Sequence, residues 1–561
     1  MTTPPNATVT ATLPRGSRRD HVFPTLTPSQ CDRVAVHGHR RPVRQGEVLI
    51  DVGDTLIPMF LVISSQIHIV RTSVDGDTVV AVHGPREFSG ETNMLSGRRS
   101  LVRAIATADG EVLEVSRERL MALVQTDPEL GEIFMRAFIL RRIELVAAGL
   151  GDVVLIGSSH SQGTLRVKEF LTRNNHPYAY IDLDRDADVQ VLLDRFHVAV
   201  SDVPVLICRG TAVLRNPSNQ AIASCLGFND AIDETHVRDL VVVGAGPSGL
   251  AAAVYAASEG LDVLVIEAEA PGGQAGASSR IENYLGFPTG ISGQELAGRA
   301  YSQAQKFGAQ IMIARGATAL TCDRKPYAIR LNDGPAIAAR AVIVATGAAY
   351  RRLPIDNLAE YEGAGVYYGA TFVEAQLCGT DEVIVIGGGN SAGQAAVFLA
   401  QTARKVHMLV RSGGLADTMS RYLIRRIEEN PVIVLHTHTE IVALEGSGQL
   451  ERVTWQTGGA ATETHAIGHV FVMTGAVPNT SWLDGCVALD ANGFVMTGAD
   501  LPAEQLTAAG WPLARAPHLL ETSLPGVFAV GDVRSGNIKR VASAVGEGSI
   551  AVSFVHRVLQ E

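Results

Sequence analysis

Two glycine-rich turns, each set between a β-branched strand and a helix of small residues, constrain this chain of 561 residues more than any other feature. The first reads Gly244-Ala245-Gly246-Pro247-Ser248-Gly249, after an apolar strand at 239–243 and before a helix-like stretch at 250–258. A second strand, 263–266, ends on Glu267, twenty-three positions beyond Gly244. Strand, turn, helix, strand and acid together make a dinucleotide fingerprint. In it Gly244 allows the tight turn, Gly246 lets a pyrophosphate approach the backbone, and Gly249 lets helix pack on strand. The helix N-terminus, opened by Pro247 and Ser248, offers free N–H groups and a partial positive charge to phosphates. Glu267 is placed to accept from ribose hydroxyls.

The second unit follows strand 383–386 and reads Gly387-Gly388-Gly389-Asn390-Ser391-Ala392, with Ala392 as the small third member. Its next strand, 406–410, ends in Arg411 where the first unit has an acid. A cation there suits the additional phosphate of NADP, and Arg421, ten residues on, is placed to share that role. An exposed strand-end charge is the alternative reading of Arg411. Two dinucleotide sites in one chain imply a flavin plus a nicotinamide nucleotide, because hydride chemistry needs donor and acceptor held together.

Composition removes several other classes. Acidic residues outnumber basic ones, giving a net charge of −11, and aromatics are only 5%. Neither a nucleic-acid surface nor a stacking platform for single strands is expected. The uncharged run 240–258 is long enough to span a membrane, but it contains the first glycine turn, so no membrane span is expected. Six cysteines, none within a Cys-x-x-Cys, exclude metal-ligand spacing and a dithiol local in sequence, so no metal site is expected. Their sparseness fits a reducing cytoplasm.

The chain divides into segments. Residues 1–24 read as a disordered tail. Residues 25–150 read as short strands, including 59–63 and 67–70, followed by a helix from Asp127, an all-β barrel closed by that helix. Residues 151–229 alternate strand and helix, with strands at 153–156, 179–183 and 205–208 and helices at 165–172 and 189–196. A polar, acidic stretch at 229–236 reads as a linker. From Val237 onward the chain is α/β.

Further motifs carry a family resemblance. Gly272-Gly273-Gln274, Ile281-Glu282-Asn283-Tyr284 and Gly286-Phe287-Pro288 resemble the FAD-binding half of the low-molecular-weight thioredoxin reductases. Ala345-Thr346-Gly347 resembles their crossover between halves, and the run from Thr522 through Gly531-Asp532-Val533 their C-terminal FAD motif. The resemblance implies an FAD-binding domain in two halves, 237–350 and 479–561, around an NADPH-binding domain at 351–478. It implies FAD contacts at Glu267, Gly273, Gln274, Asn283, Thr346, Gly347, Gly531 and Asp532, with Asp532 on the ribityl chain, and a homodimer. Lys539-Arg540-Val541 stands where the family has Arg-Gln-Ala. The family's redox Cys-Ala-Thr-Cys aligns with Gly369-Ala370-Thr371-Phe372, so both cysteines are missing. Cys378, six residues on, is expected as a spare thiol on a surface turn.

The front of the chain resembles two other families. Residues 45–64 look like the opening of cyclic-nucleotide-binding domains, and Phe88-Ser89-Gly90-Glu91 and Arg99-Ser100 like the two ends of their phosphate-binding cassette. That implies an effector site in which Glu91 takes the ribose hydroxyl and Arg99 the cyclic phosphate, with Gly90 and Ser100 beside them. Ser65 replaces a usual turn glycine and the cassette is short, so a domain kept only for packing stays open. Residues 151–229 resemble the thioredoxin fold, with Val203-Pro204 placed like its cis-proline and Gly157-Ser158-Ser159-His160-Ser161 where a redox member carries Cys-x-x-Cys. His160 reads as a solvated neighbour of the helix cap.

The expected fold is therefore α/β overall. Two Rossmann-like FAD and NADPH domains follow a β-roll cyclic-nucleotide-binding domain and a small thioredoxin-like domain. The expected function is an FAD-dependent NADPH oxidoreductase with an unidentified external acceptor, regulated by the front domain. Two rivals stay open: a thioredoxin-disulfide reductase using a partner's dithiol, and a non-catalytic cyclic-nucleotide and redox sensor.

Overall fold

The computed structural model describes residues 19–55, 57–73, 76–91, 94, 98–147, 153–158, 161–184, 202–208, 212–230, 232–233, 235–278, 280–370 and 372–561. The expected helix at 189–196, His160, Thr371 and most of the 1–24 tail lie outside these. The chain forms two compact units, one of residues 1–157, 175–232 and 302–313, the other of 158–174, 233–301 and 314–561.

The first unit carries a three-stranded antiparallel sheet, His39–Val43, Gly110–Val115 and Met59–Val62, and a four-stranded one, Val48–Ile50, Arg103–Ala106, Ile67–Ser73 and Gly76–His83. Strand Met59–Val62 is buried along its whole length. It packs in one core with Phe88, Phe134 and Phe138, and Phe88 meets Phe134 edge-on at 4.7 Å. The helical part begins earlier than expected, because Ser116 caps a helix Arg117–Thr126 ahead of Pro128–Ala147. A second sheet has the order Ala212–Arg215, Val205–Cys208, Val153–Gly157, Ala179–Asp182, with only the last pair parallel. The Val203–Pro204 peptide is cis.

The second unit holds two Rossmann-like sheets. In the first, Arg238–Val243 lies parallel between Val263–Glu267 and Ala336–Val344. Ala336–Val344 then pairs along its first part with Tyr327–Leu331 and along its last part with Val527–Ala529, which returns from the far end of the chain. In the second, five parallel strands run Val366–Tyr367, Val470–Val472, Glu382–Ile386, Lys405–Leu409, Ile433–His436. Two short antiparallel strands, Ala348–Tyr350 and Ala476–Pro478, carry the chain out to this sheet and back. Their continuous burial in parallel sheets explains why the core strands read as unbroken apolar runs.

Helix Pro247–Ser258 packs against the C-terminal helix Val541–Gln560. Gly548 permits this, since a Cβ there would fall 2.2 Å from the Ser248 carbonyl oxygen. Among the described residues no helix is long and apolar enough to cross a membrane. Gly548→Val is expected to destabilise the protein by about 1–3 kcal/mol through overpacking. Denaturant unfolding checks this, and an unchanged midpoint would refute the role given to that contact.

Candidate functional site

The two glycine turns divide their glycines by cause. Gly244, at φ +105°, has no room for a side chain, because a Cβ would meet the Ala345 carbonyl oxygen at 2.3 Å. Gly249 likewise would meet the Gly244 carbonyl oxygen at 1.9 Å. Gly246 differs: its backbone is ordinary extended chain, and a Cβ there would face open space. The protein's own packing does not require glycine at 246. Helix Pro247–Ser258, which starts on Gly246, carries no side-chain cap, so its first N–H groups stay available to an anion. The second turn repeats the division. Gly387, at φ +134°, sits 2.5 Å (Cβ position) from the Met473 carbonyl oxygen, while Gly389 faces open space at the uncapped start of helix Asn390–Leu399. Ala392 is buried against Gly387.

Glu267 ends its strand beneath the first turn, and its carboxylate accepts from the N–H groups of Ala245, Glu269 and Ala270 at 2.7, 2.9 and 3.2 Å. Burial raises its pKa, opposed by the Ala245 and Glu269 donors. Its carboxylate thus fixes the glycine turn from below, a role the sequence reading did not assign. Gln274 donates through Nε2 to the Ala348 carbonyl, which ties the Gly273–Gly276 turn to the outgoing crossover strand. Asp532 follows Gly531, whose N–H donates to Glu547 Oε2 at 2.7 Å. Burial raises the Asp532 pKa, with Lys539 opposing. Val541 opens the C-terminal helix, again without a side-chain cap.

At the crossover Thr346 and Asn479 clasp each other. Thr346 Oγ1 donates to the Asn479 carbonyl and Asn479 Nδ2 to the Thr346 carbonyl, both at 2.8 Å. Gly347 turns beside them at φ +64°. Tyr350, three residues on, was not singled out by the sequence. Burial raises its pKa, with Ser391 of the second turn opposing and Asp532 of the first module adding to the rise. Its place directly after the Thr346-Gly347 crossover was the available signal.

In the second module Asn390 does structural work, since its Oδ1 accepts from the Ser420 N–H at 2.8 Å. Thr418 Oγ1 donates to the Gly388 carbonyl at 2.7 Å. These two bonds fold segment 411–420 over the glycine turn and bring helix Arg421–Glu428 to its edge. Arg411 and Arg421 are both exposed, and among the described residues neither has an ion-pair partner. Asn283 lines a cavity of about 410 Å³ with Arg280, Glu282, Thr289, Tyr422 and Arg426, closed by an Arg426–Glu282 ion pair at 2.5 Å.

Cys378 corrects the sequence reading: it lies not on a surface turn but buried at the end of helix Phe372–Cys378, 2% exposed. Its Sγ donates to the Glu374 carbonyl, and burial pushes the thiol up to about 12. Such a thiol is inert at neutral pH. Helix Gln162–Arg173 covers this region: Leu165 joins the core of Tyr367, Ala370, Ala375 and Cys378. Burial, reinforced by the neighbouring Glu374, pushes Glu169 up to about 9.

In the first unit Glu91 lies 3.6 Å from Arg142, and both side chains are largely buried. Arg142 also donates to the Asn175 carbonyl at 2.6 Å. Gly90, at φ +115°, packs under Met94 and Phe138, and its carbonyl accepts from Arg141 at 2.8 Å. Arg99 lies against Gly227, and Ser100 Oγ donates to the Val102 carbonyl. Each candidate effector residue therefore has contacts within the protein itself. No group of His, Cys, Asp or Glu among the described residues could hold a metal.

The family model for pyridine nucleotide-disulphide oxidoreductases matches residues 238–548, and that for the cyclic nucleotide-binding domain matches residues 40–127. Thioredoxin reductase of Bacillus subtilis (strain 168) is 31% identical over 332 residues, 59% of this chain and 97% of the relative. Thioredoxin reductase of Treponema pallidum (strain Nichols) is 33% identical over 317 residues, 56% of this chain and 94% of the relative. The crystal structure of Lactococcus lactis thioredoxin reductase in its FR conformation aligns with a TM-score of 0.51 at 26% identity, over 58% of this chain and 99% of that one. That of T. acidophilum thioredoxin reductase gives 0.51 at 28% identity, over 58% and 99%. Tyr350→Phe removes a buried phenol oxygen at the crossover with little change in volume. Stopped-flow mixing with NADPH is expected to show flavin reduction slowed by about two- to tenfold at unchanged flavin content; an unchanged rate would deny Tyr350 a role in that step.

Proposed function

This chain belongs to the pyridine nucleotide-disulphide oxidoreductase family, and we propose that it is an FAD-dependent NADPH oxidoreductase serving an external acceptor. The observation that carries this reading is the pair of uncapped glycine turns whose middle glycines, Gly246 and Gly389, face open space the protein does not fill. Residues 237–350 and 479–561 would form the FAD-binding domain around an NADPH-binding domain at 351–478. Residues 25–150 would form the cyclic-nucleotide-binding domain and 151–229 a thioredoxin-like domain. The order and directions of its four-stranded sheet support the last assignment.

Bound FAD supplies the two-electron acceptor for hydride from NADPH. The chain's own residues bind and orient. Gly244, Gly246 and Pro247 shape the turn so that the N–H groups of Ser248 and Gly249 at the helix start face one pyrophosphate, with Glu267 holding the turn. Gly273, Gln274, Asn283, Thr346, Gly347, Gly531, Asp532 and Val541 would line the rest of the FAD site. Gly387, Gly389, Asn390, Ser391 and Ala392 shape the second turn, and Arg411 and Arg421 meet the additional phosphate of NADPH. Tyr350, buried directly after the crossover, would bear on the spacing across which hydride moves. The acceptor is external because Cys378 is buried and protonated, and helix Gln162–Arg173 covers the stretch where the resembled reductases carry their dithiol.

Anaerobic titration with NADPH tests the reading: loss of the flavin's visible absorbance at one equivalent is expected. Persistence of the oxidised spectrum would favour the non-catalytic sensor instead. Arg411→Ala is expected to raise the KM for NADPH by about 10–100-fold while leaving NADH use unchanged. Equal loss with both nucleotides would remove Arg411 from phosphate recognition.

The front domain would bind a cyclic nucleotide, with Glu91 on the ribose hydroxyl, Arg99 on the phosphate, and Gly90 and Ser100 beside them. Glu91 already contacts Arg142, which holds the Asn175 carbonyl, so a ligand that claims Glu91 competes with that contact. At a hundredfold its Kd such a ligand would stabilise the protein by about 2.7 kcal/mol. Melting curves with cyclic AMP and with cyclic GMP decide it; no shift with either leaves the domain a packing element.

A further inference from the structure

We propose that Cys322 and Cys486 are a reversible thiol–disulfide site that fastens the chain where it returns from the inserted nucleotide domain. The two are disulfide-bonded, with Cα atoms 5.8 Å apart and 164 positions of sequence between them. Cys322 directly follows strand Ala317–Thr321 in the first half of the split module. Cys486 directly follows the turn that begins at Ser481–Leu483, its N–H donating to the Leu483 carbonyl, and Trp482 and Leu483 of that turn are buried. The covalent loop therefore encloses residues 351–478 together with both crossover strands.

Without the bond, the return crossing is held by the three-residue pairing of Ala348–Tyr350 with Ala476–Pro478 and by the Thr346–Asn479 clasp, whose hydrogen bonds are exposed to solvent. The disulfide adds a fixed point eight residues beyond Pro478 and joins the two halves directly. Both cysteines are only partly buried, so an incoming thiolate or a small disulfide can reach the sulfurs. The remaining cysteines, Cys31, Cys208, Cys225 and Cys378, take part in no disulfide.

The exchange balances with a low-molecular-weight disulfide as oxidant. One protein thiolate attacks the small disulfide, forms a mixed disulfide and expels one small thiolate. The second protein thiolate then attacks the protein sulfur of that mixed disulfide, forming the Cys322–Cys486 bond and expelling the second. Two electrons and two protons pass from the protein dithiol to the small disulfide, giving two small thiols; excess small thiol runs the sequence backwards.

The full-length protein is incubated with excess oxidised glutathione or with excess reduced glutathione, denatured, and its thiols are alkylated and counted, with the crosslink mapped by peptide mass. Four thiols and a Cys322–Cys486 peptide are expected after oxidation, and six thiols after reduction. The oxidised form is expected to melt about 5–10 °C higher than the reduced form. The Cys322→Ser/Cys486→Ser variant should match the reduced protein; if that variant does not accumulate, the wild-type redox pair alone gives the comparison. Six thiols after oxidation, four after reduction, or equal melting of the oxidised and reduced forms would overturn the proposal. None of these readouts uses NADPH, so they fail independently of the oxidoreductase reading.

Discussion

Close backbone contact around helix Pro247–Ser258 organises the larger unit. Gly249 lets that helix begin against the carbonyl of Gly244, and Gly244 lets the turn press on Ala345 at the crossover. Gly548 and Gly531, from the other end of the chain, admit Ser248 from the opposite side. Three segments far apart in sequence meet here because glycines in two of them give up a side chain where backbone approaches. Any Cβ at these positions would force backbones apart, and packed interiors do not absorb such shifts cheaply. The same approach leaves the uncapped helix start aimed at the space beside Gly246, so fold and binding site have one origin.

From that anchor the second nucleotide module is hung on two short strands and one reciprocal hydrogen-bonded clasp. Such a connection has little buried surface of its own. The spacing between the two turns therefore depends on bonds that span the modules, among them Arg426 with Glu282. Hydride transfer is sensitive to displacements of about an ångström, so these side chains bear on function as directly as those that touch a cofactor. The disulfide at the return of the insertion belongs to the same mechanical problem.

In the smaller unit one charge that the sequence marks for ligand, Glu91, already faces a cation of the protein itself. Arg141 is buried; it donates to the carbonyls of Val22, Phe88 and Gly90 and lies over the rings of Phe23 and Phe88. Arg142 pairs with Glu91 at 3.6 Å and donates to the Asn175 carbonyl. A buried charge needs such partners, and removing one leaves a large penalty. A domain with its cations committed inward can answer a ligand only by exchanging one set of partners for another, which couples occupancy to packing.

The glycine spacings, the acid ending the first strand and the cation ending the second were legible in the sequence, as was the order of the split module. They are local patterns, set by backbone geometry over six to thirty residues, and the structure repeats them almost residue for residue. The helix Arg117–Thr126 was missed although Ser116 signals its start, because its charged first turn obscures the apolar spacing. Cys378 was misplaced because burial of a short helix end depends on what packs over it, here Gln162–Arg173, and no periodicity reports that. Cysteine spacing could exclude a dithiol local in sequence but was blind to Cys322 and Cys486. By itself the sequence determined where the tight glycine turns fall between strand and helix. Tertiary structure decided which distant side chains meet, namely Thr346 with Asn479, Glu91 with Arg142 and the two cysteines, because contacts across many residues follow from how the chain crosses itself.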